Sequence, residues 1–305
     1  MSHEVISDEA WETLLETRAT RPSAPAEAYA RRRRPGRILS ERGTLFLVAA
    51  DHPARGALTS GPRPMAMADR RSLLDRLVTA LTHPDVDGVL GSPDVVEELL
   101  LLGALEGRVV IGSMNRGGLD GADWTMDDRF TGYDAASIEE YRLEGGKMLL
   151  RIDDTDVGTA STLQACATAV GELARRGLLA MVEPLPYERD DAGRLSLRKD
   201  AASLARAVTV ASALGTTSAY TWLKMPSCDD PETVYGATTL PCVVLGGTPG
   251  PDPEADLASW GRSLREPTVR GLVVGRSLLY PPDEDVAGAV AAAARVLRVA
   301  CQTSR

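Results

Sequence analysis

The chain uses lysine at only three positions, Lys147, Lys199 and Lys224, out of 34 lysines and arginines in all. Lys224 stands at the end of an apolar run, AYTWLKMP, where a charge is costly. Arginine keeps its proton under ordinary conditions, whereas a desolvated lysine gives it up and becomes a nucleophile. Side chains alternate along a strand, so Lys224 shares a face with Tyr220 and Trp222, and Lys147 shares one with Leu149 and Arg151. Glu183, in LLAMVEP, falls on the β-prone run between those that carry the two lysines. If these faces point into one interior, two lysines and a carboxylate converge. Burial and a neighbouring cation both lower a lysine pKa, and the free amine attacks a carbonyl to form a Schiff base. The bland alternative is a lysine snorkelling at a rim beside a buried Lys147–Glu183 ion pair. Scarcity of lysine in an arginine-rich chain favours the chemical reading.

Positioning these groups requires a repeated fold. Eight short β-prone runs occur at 44–51, 87–92, 108–115, 147–153, 178–184, 219–224, 241–247 and 271–276. They are continuous apolar stretches ended by Gly, Pro, Asp or Asn, as buried parallel strands are. Helix-period segments at 69–82, 94–105, 161–176, 200–214 and 285–300 lie among them. This alternation predicts right-handed βαβ units, and eight of them predict a (βα)8 TIM barrel. An open doubly wound sheet is the runner-up, but the first run ends AADHPARG and lacks the glycine fingerprint of that fold. Residues 1–40 form a helical N-terminal extension and 41–305 a single barrel domain.

Active sites of such barrels lie at the C-terminal strand ends. Those ends supply Asp51 and His52 on the first run, Asn115 and Arg116 on the third, and Arg151 and Asp153 on the fourth. The fifth supplies Glu183 and Tyr187, the sixth Lys224, the seventh Gly246 and Gly247, and the eighth Gly275 and Arg276. Loops after the last two strands often bind phosphate through backbone N–H groups, and Arg276 adds a bidentate donor.

Bulk properties narrow the function classes. Apolar residues make up 44% of the 305 and charged residues 25%, as in a soluble globular protein. The net charge of −9 argues against a nucleic-acid partner. Arg31 to Arg34 form one contrary run, read as a solvated basic turn before Pro35. No apolar run reaches the ~20 residues of a membrane span. The acidic start, MSHEVISDEAWETLLETRAT, lacks the pattern of a signal peptide. Cys166, Cys228, Cys242 and Cys301 are widely spaced, which predicts reduced thiols and a cytoplasmic location. With three scattered histidines, His3, His52 and His83, neither a metal site nor a Ser-His-Asp triad is expected. No cofactor is expected either, and a homo-oligomer is the expected assembly.

These residues resemble the class I (Schiff-base) aldolases. AADHPARGAL resembles the Asp-containing first-strand motif of archaeal-type fructose-bisphosphate and tagatose-bisphosphate aldolases. GGKMLLRID and MVEPLPY look like the fourth and fifth strands of the tagatose-bisphosphate enzymes, which carry an auxiliary lysine and the catalytic glutamate. TWLKMP sits where that superfamily keeps its Schiff-base lysine, and LGG…VVGR where it binds phosphate. With GSMNRGGL, MDDRFTGYDA and GLVVGRSLLYPP, the chain from about residue 15 onward resembles a bacterial group of deoxyribose-phosphate aldolase-like (βα)8 proteins associated with inositol catabolism. The resemblance implies Lys224 as the Schiff-base lysine, Glu183 as acid/base, Lys147 as a second cation and Asp51 as a hydroxyl-orienting group. It implies Gly247, Gly275 and Arg276 as phosphate ligands, and 2-deoxy-5-keto-gluconate 6-phosphate as a substrate. Arg151 or Arg116 would then pair with the substrate carboxylate, and Asn115 would also face substrate. The loop 117–134 has no counterpart in the characterised enzymes; its Asp127 and Asp128 face substrate or cap the next helix. Competing readings are a deoxyribose-phosphate or ketose-bisphosphate aldolase, a barrel isomerase or epimerase, and a catalytically silent sugar-phosphate-binding protein.

Overall fold

A computed structural model describes residues 5–116, 118–190, 193–247, 249–250 and 252–303. Gly117, which opens the 117–134 loop, lies outside the described residues, as do Met1 to Glu4 and the side chain of Cys301. Two helices, α1 (Asp8–Thr20) and α2 (Ala24–Arg31), precede the first strand, β1 (Leu45–Ala50). Then follow α3 (Arg70–Leu81), β2 (Gly88–Gly91), α4 (Pro93–Leu101), β3 (Val109–Ser113), α5 (Ala135–Glu140), β4 (Gly145–Ile152) and α6 (Gly158–Arg175). β5 (Leu179–Arg189) turns back into a short β6 (Leu195–Leu197) before α7 (Ala201–Ser212). The chain closes with β7 (Thr221–Pro226), α8 (Pro231–Tyr235), β8 (Cys242–Leu245), α9 (Pro253–Ser263), β9 (Val269–Val274), α10 (Arg276–Leu279) and α11 (Val286–Thr303).

Eight strands pair in parallel in the order β4-β3-β2-β1-β9-β8-β7-β5, and pairing of β4 with β5 closes the ring. The predicted (βα)8 barrel is therefore the observed fold. β6 stands outside it, antiparallel to the outer half of β5. No sequence signal marked that hairpin. Helix starts follow capping chemistry: Asp69, Asp200 and Asp252 accept backbone N–H groups at the heads of α3, α7 and α9. Leu73, Leu74, Leu77, Ala80 and Leu81 then put the apolar face of α3 onto the sheet.

Each strand serves two cores, because successive side chains face opposite ways. In β1, Phe46, Val48 and Ala50 join the large core between sheet and helices. Leu45, Leu47 and Ala49 point inward, where they meet Leu90, Ile111 and Met181. Trp222 packs on this inner cluster, so the face that Lys224 shares is the interior face. β7 runs two residues past Lys224, to Pro226, so the lysine sits inside the strand and is 3% exposed.

The Arg31–Arg34 run departs from its expected solvated state. Arg31, Arg33 and Arg34 are exposed, but Arg32 is buried. Its guanidinium donates to the carbonyls of Arg108 (2.8 Å) and Arg142 (2.5 Å) and pairs with Glu144 at 3.1 Å. Glu144 also accepts from Val110 N and Arg34 Nε. Arg32 thus latches the N-terminal extension to the residues that feed β3 and β4. Ile6, Leu14 and Tyr29 of the extension enter the outer core. Among the described residues no helix is long and apolar enough to cross a membrane, and Cys166, Cys228 and Cys242 are buried free thiols.

Candidate active site

Two residues above the apolar plug, the inward positions turn polar. Asp51 follows Ala49 on the first strand's inner face, Ser113 follows Ile111, Glu183 follows Met181 and Lys224 follows Trp222. Parallel register sets their heights. Val182 pairs with Leu223, so Glu183 and Lys224 are level; Leu149 pairs with Glu183, which puts Lys147 one inward step lower.

The side chains form one chain of alternating charge. Lys224 Nζ donates to Glu183 Oε1 at 2.8 Å, and the other oxygen of Glu183 pairs with Lys147. Lys147 Nζ also donates to Asp51 Oδ2 at 3.2 Å. Asp51 Oδ2 accepts from Ser113 Oγ at 3.1 Å and pairs with Arg116. Asp51 and Lys147 are wholly buried. Burial works against the charge of Glu183, but Lys147 and Lys224 outweigh it and hold the carboxyl well below its usual range. Arg116 and Lys147 do the same for Asp51 against its burial. Burial, and then Arg116, push Lys147 down from the ordinary lysine value. Burial also drives His52 well below its usual pKa, despite Asp51 beside it, so His52 is neutral. Ser113 and the Arg116–Asp51 pair escaped the sequence reading of the centre. Ser113 had a usable signal: it falls two residues after inward-facing Ile111.

The glycines and Arg276 gather at the ends of β8 and β9. Gly247 has φ 68°, a conformation that favours glycine. A Cβ at Gly275 would lie 2.4 Å from the Ala49 carbonyl oxygen, so only glycine passes there. Gly246 is equally tight, its Cβ position 2.4 Å from Val274 Cγ1. Arg276 donates toward Thr59 O at 3.3 Å and Gly247 O at 3.5 Å, bridging the loops that follow β1 and β8. The four residues expected at the anion end are therefore adjacent.

Arg151 and Asn115 have other tasks. Arg151 forks onto Asp128 through Nε (2.8 Å) and Nη2 (2.6 Å), reaches Thr125 O, and lies 5.8 Å from the Tyr187 ring centroid. Asn115 exchanges hydrogen bonds with the backbone of Leu149 and donates to Asp128 O. Both are engaged by protein partners, which tie residues 125–128 of the 117–134 loop to the strand ends. Asp128 is the buried counter-ion of Arg151, and the next helix is capped by Asp134, so Asp128 takes neither role foreseen for it. Asp127 pairs with exposed Arg129. Above Glu183, Leu149, Leu185 and Leu245 form a small apolar shelf against Tyr187 and Leu197 of the β5–β6 hairpin. Among the described residues no group of three His, Cys, Asp or Glu side chains is arranged to hold a metal ion.

No curated protein matches the chain in sequence. The crystal structure of Cgl0159 from Corynebacterium glutamicum is similar at 46% identity over 97% of this chain and 99% of that one, with a TM-score of 0.94. An archaeal fructose 1,6-bisphosphate aldolase shares the fold at 17% identity, covering 90% of this chain and 98% of its own, with a TM-score of 0.65. A Schiff-base-forming fructose-1,6-bisphosphate aldolase does so at 17% identity, 90% and 99% coverage, and a TM-score of 0.64. These two structures share the (βα)8 barrel fold with the chain. The model of the Cgl0159-like family matches residues 43–294, and together with the 46% identity this shows that the chain belongs to the Cgl0159-like family.

Proposed function

We propose that the protein is a metal-independent class I aldolase that cleaves a phosphorylated sugar or sugar acid through a Schiff base on Lys224. One observation carries the reading: Glu183 is shared by two buried lysines, with Lys224 uppermost and nearest the mouth. Charge alternates along Arg116, Asp51, Lys147, Glu183 and Lys224, leaving three cations to two carboxylates. The nucleophile is the neutral amine of Lys224.

The steps follow from the contacts. Neutral Lys224 Nζ attacks the substrate ketone, and water leaves to give an iminium. A base takes the proton of the hydroxyl β to the iminium carbon, the carbon–carbon bond breaks, and its electron pair enters the iminium as an enamine. Glu183 touches Lys224 and delivers or accepts protons at the nitrogen and the enamine carbon. Asp51, braced by Ser113, Lys147 and Arg116, orients the hydroxyl. Enamine protonation and hydrolysis release the second product and regenerate Lys224.

Gly247, Gly275 and Arg276 hold the phosphate, with Gly246 shaping the same turn. The proposed substrate is 2-deoxy-5-keto-gluconate 6-phosphate, whose C5 ketone adjoins the C6 phosphate. Removal of the C3 hydroxyl proton breaks C3–C4 to give malonate semialdehyde and dihydroxyacetone phosphate. Deoxyribose 5-phosphate and a ketose bisphosphate are the competing substrates. Borohydride reduction in the presence of dihydroxyacetone phosphate, read by intact mass and peptide mapping, tests the chemistry. A reduced adduct on Lys224 is expected. An adduct on Lys147, or none with any of the three substrates, would sink the assignment.

A further inference from the structure

Arg55, which follows the first strand at the barrel mouth, is held by a solvent-exposed carboxylate. It ends the short turn Pro53–Arg55 that follows β1, and Gly56 at φ 75° caps that turn. Its guanidinium is 16% exposed and meets Asp120 of the 117–134 loop through a single 3.2 Å contact. The loop is docked there by its backbone too, since Asp120 N donates to Arg55 O at 2.8 Å. Two neighbouring arginines have buried partners instead. Arg116 is paired with Asp51 and Arg151 is forked onto Asp128, and both carboxylates are almost fully inaccessible. Asp120 is different, with its side chain 54% exposed. Burial and the nearby charges of Arg151 and Arg116 push Arg55 below the ordinary arginine value, so the position is crowded with like charge.

From this geometry we propose that Arg55 is a specificity-determining residue that binds a carboxylate on the substrate, and that Asp120 occupies that place until substrate arrives. The inference rests on the sugar-phosphate reading of the pocket and deepens it by naming the second charged group. An exposed carboxylate on a loop leaves its partner at little cost, because water solvates it on departure. A buried one, such as Asp128, does not. The group that already satisfies Arg55 is a carboxylate, and an incoming carboxylate repeats the contact. Exchange also releases the loop from its side-chain tether to Arg55, so the acid end of a substrate reports its presence to the segment that covers the mouth.

The test uses two ligands that carry no ketone or aldehyde and so form no imine: 6-phosphogluconate, with a carboxylate remote from its phosphate, and glucitol 6-phosphate, which lacks it. Calorimetry on the full chain should show the acid binding roughly tenfold to a hundredfold more tightly, the range of one charged hydrogen-bonded contact. Arg55→Gln should erase that preference, with a smaller loss for glucitol 6-phosphate, because the Arg276 end of the site also feels the Arg55 charge. Arg55→Lys should restore part of it, and Asp120→Ala should tighten the acid by removing its competitor. No preference in the wild type, failure to bind either ligand, or equal loss of both in Arg55→Gln would overturn the proposal. Because neither ligand reacts with Lys224, the Schiff-base reading stands or falls separately, on borohydride trapping.

Discussion

The two ends of the barrel interior are built from the same strands and differ by two residues in each. At the lower end Leu47, Ile111, Met181 and Trp222 form an apolar plug. One inward step higher stand Asp51, Ser113, Glu183 and Lys224, with Lys147 completing a charged layer. The plug has no polar atoms to satisfy and gains by exclusion of water. In the charged layer every group depends on a specific partner, because an uncompensated buried charge is expensive. The lower layer can therefore tolerate changes of shape that preserve volume, whereas the upper one tolerates almost none.

Lys224→Arg should break the charged end most severely. It preserves a cation beside Glu183 but cannot form an imine, so kcat should fall on the order of 10⁴-fold or more, with the folded state retained by circular dichroism. Substantial residual turnover would move the nucleophile elsewhere. Leu47→Ala is the matching change in the plug. It should destabilise by ~2–5 kcal/mol in denaturant unfolding while kcat stays within a few-fold of wild type. If kcat collapsed with it, the division between the two ends would be wrong. Lys147→Met removes the cation shared by Asp51 and Glu183, and a loss of ~10²-fold in kcat is expected. Trapping on Lys224 should slow and not vanish.

Acid stability sharpens the contrast further. Asp51 and Glu183 titrate below their unfolded values, so their stabilisation is fully present above about pH 4.5 and is lost as pH falls through the folded pKa values. Melting temperature should therefore fall between pH 5 and pH 3 in the wild type and fall less steeply in Glu183→Gln. Identical slopes would mean that the glutamate charge adds nothing to stability. The smallest effect belongs to metal removal. Prolonged chelation should leave turnover unchanged within error, and loss restored by zinc would point to different chemistry.

Much of this contrast was legible in one dimension. Alternation alone put Lys224 with Trp222, Lys147 with Leu149, and both lysines with Glu183, because strand geometry is local. Strand count put Gly247, Gly275 and Arg276 at adjacent ends. What escaped was set by long-range pairing. Arg151 reads as a free cation until Asp128, 23 positions earlier, is seen to fork with it. Asn115 reads as a polar strand end until the Leu149 backbone claims its amide. Arg32 reads as one of four solvated arginines, since composition cannot tell which member of a charge run turns inward. The β-prone run 219–224 puts Lys224 at a strand end, two residues before Pro226. The strand continues to that proline, which satisfies a strand's last position without an N–H.

The Arg32 latch bears on where the foldable unit begins. The family match starts at residue 43, and a gene trimmed there would still encode all eight strands. It would also leave the Glu144 carboxylate, 3% exposed, without the two arginines that neutralise it. Carbonyls of Arg108 and Arg142 would lose their donor at the same stroke. Minimisation or circular permutation of this barrel should therefore keep the chain from Ile6 onward, treating the leading helices as a brace on the outer core whose latch sits at the strand starts, opposite the chemistry.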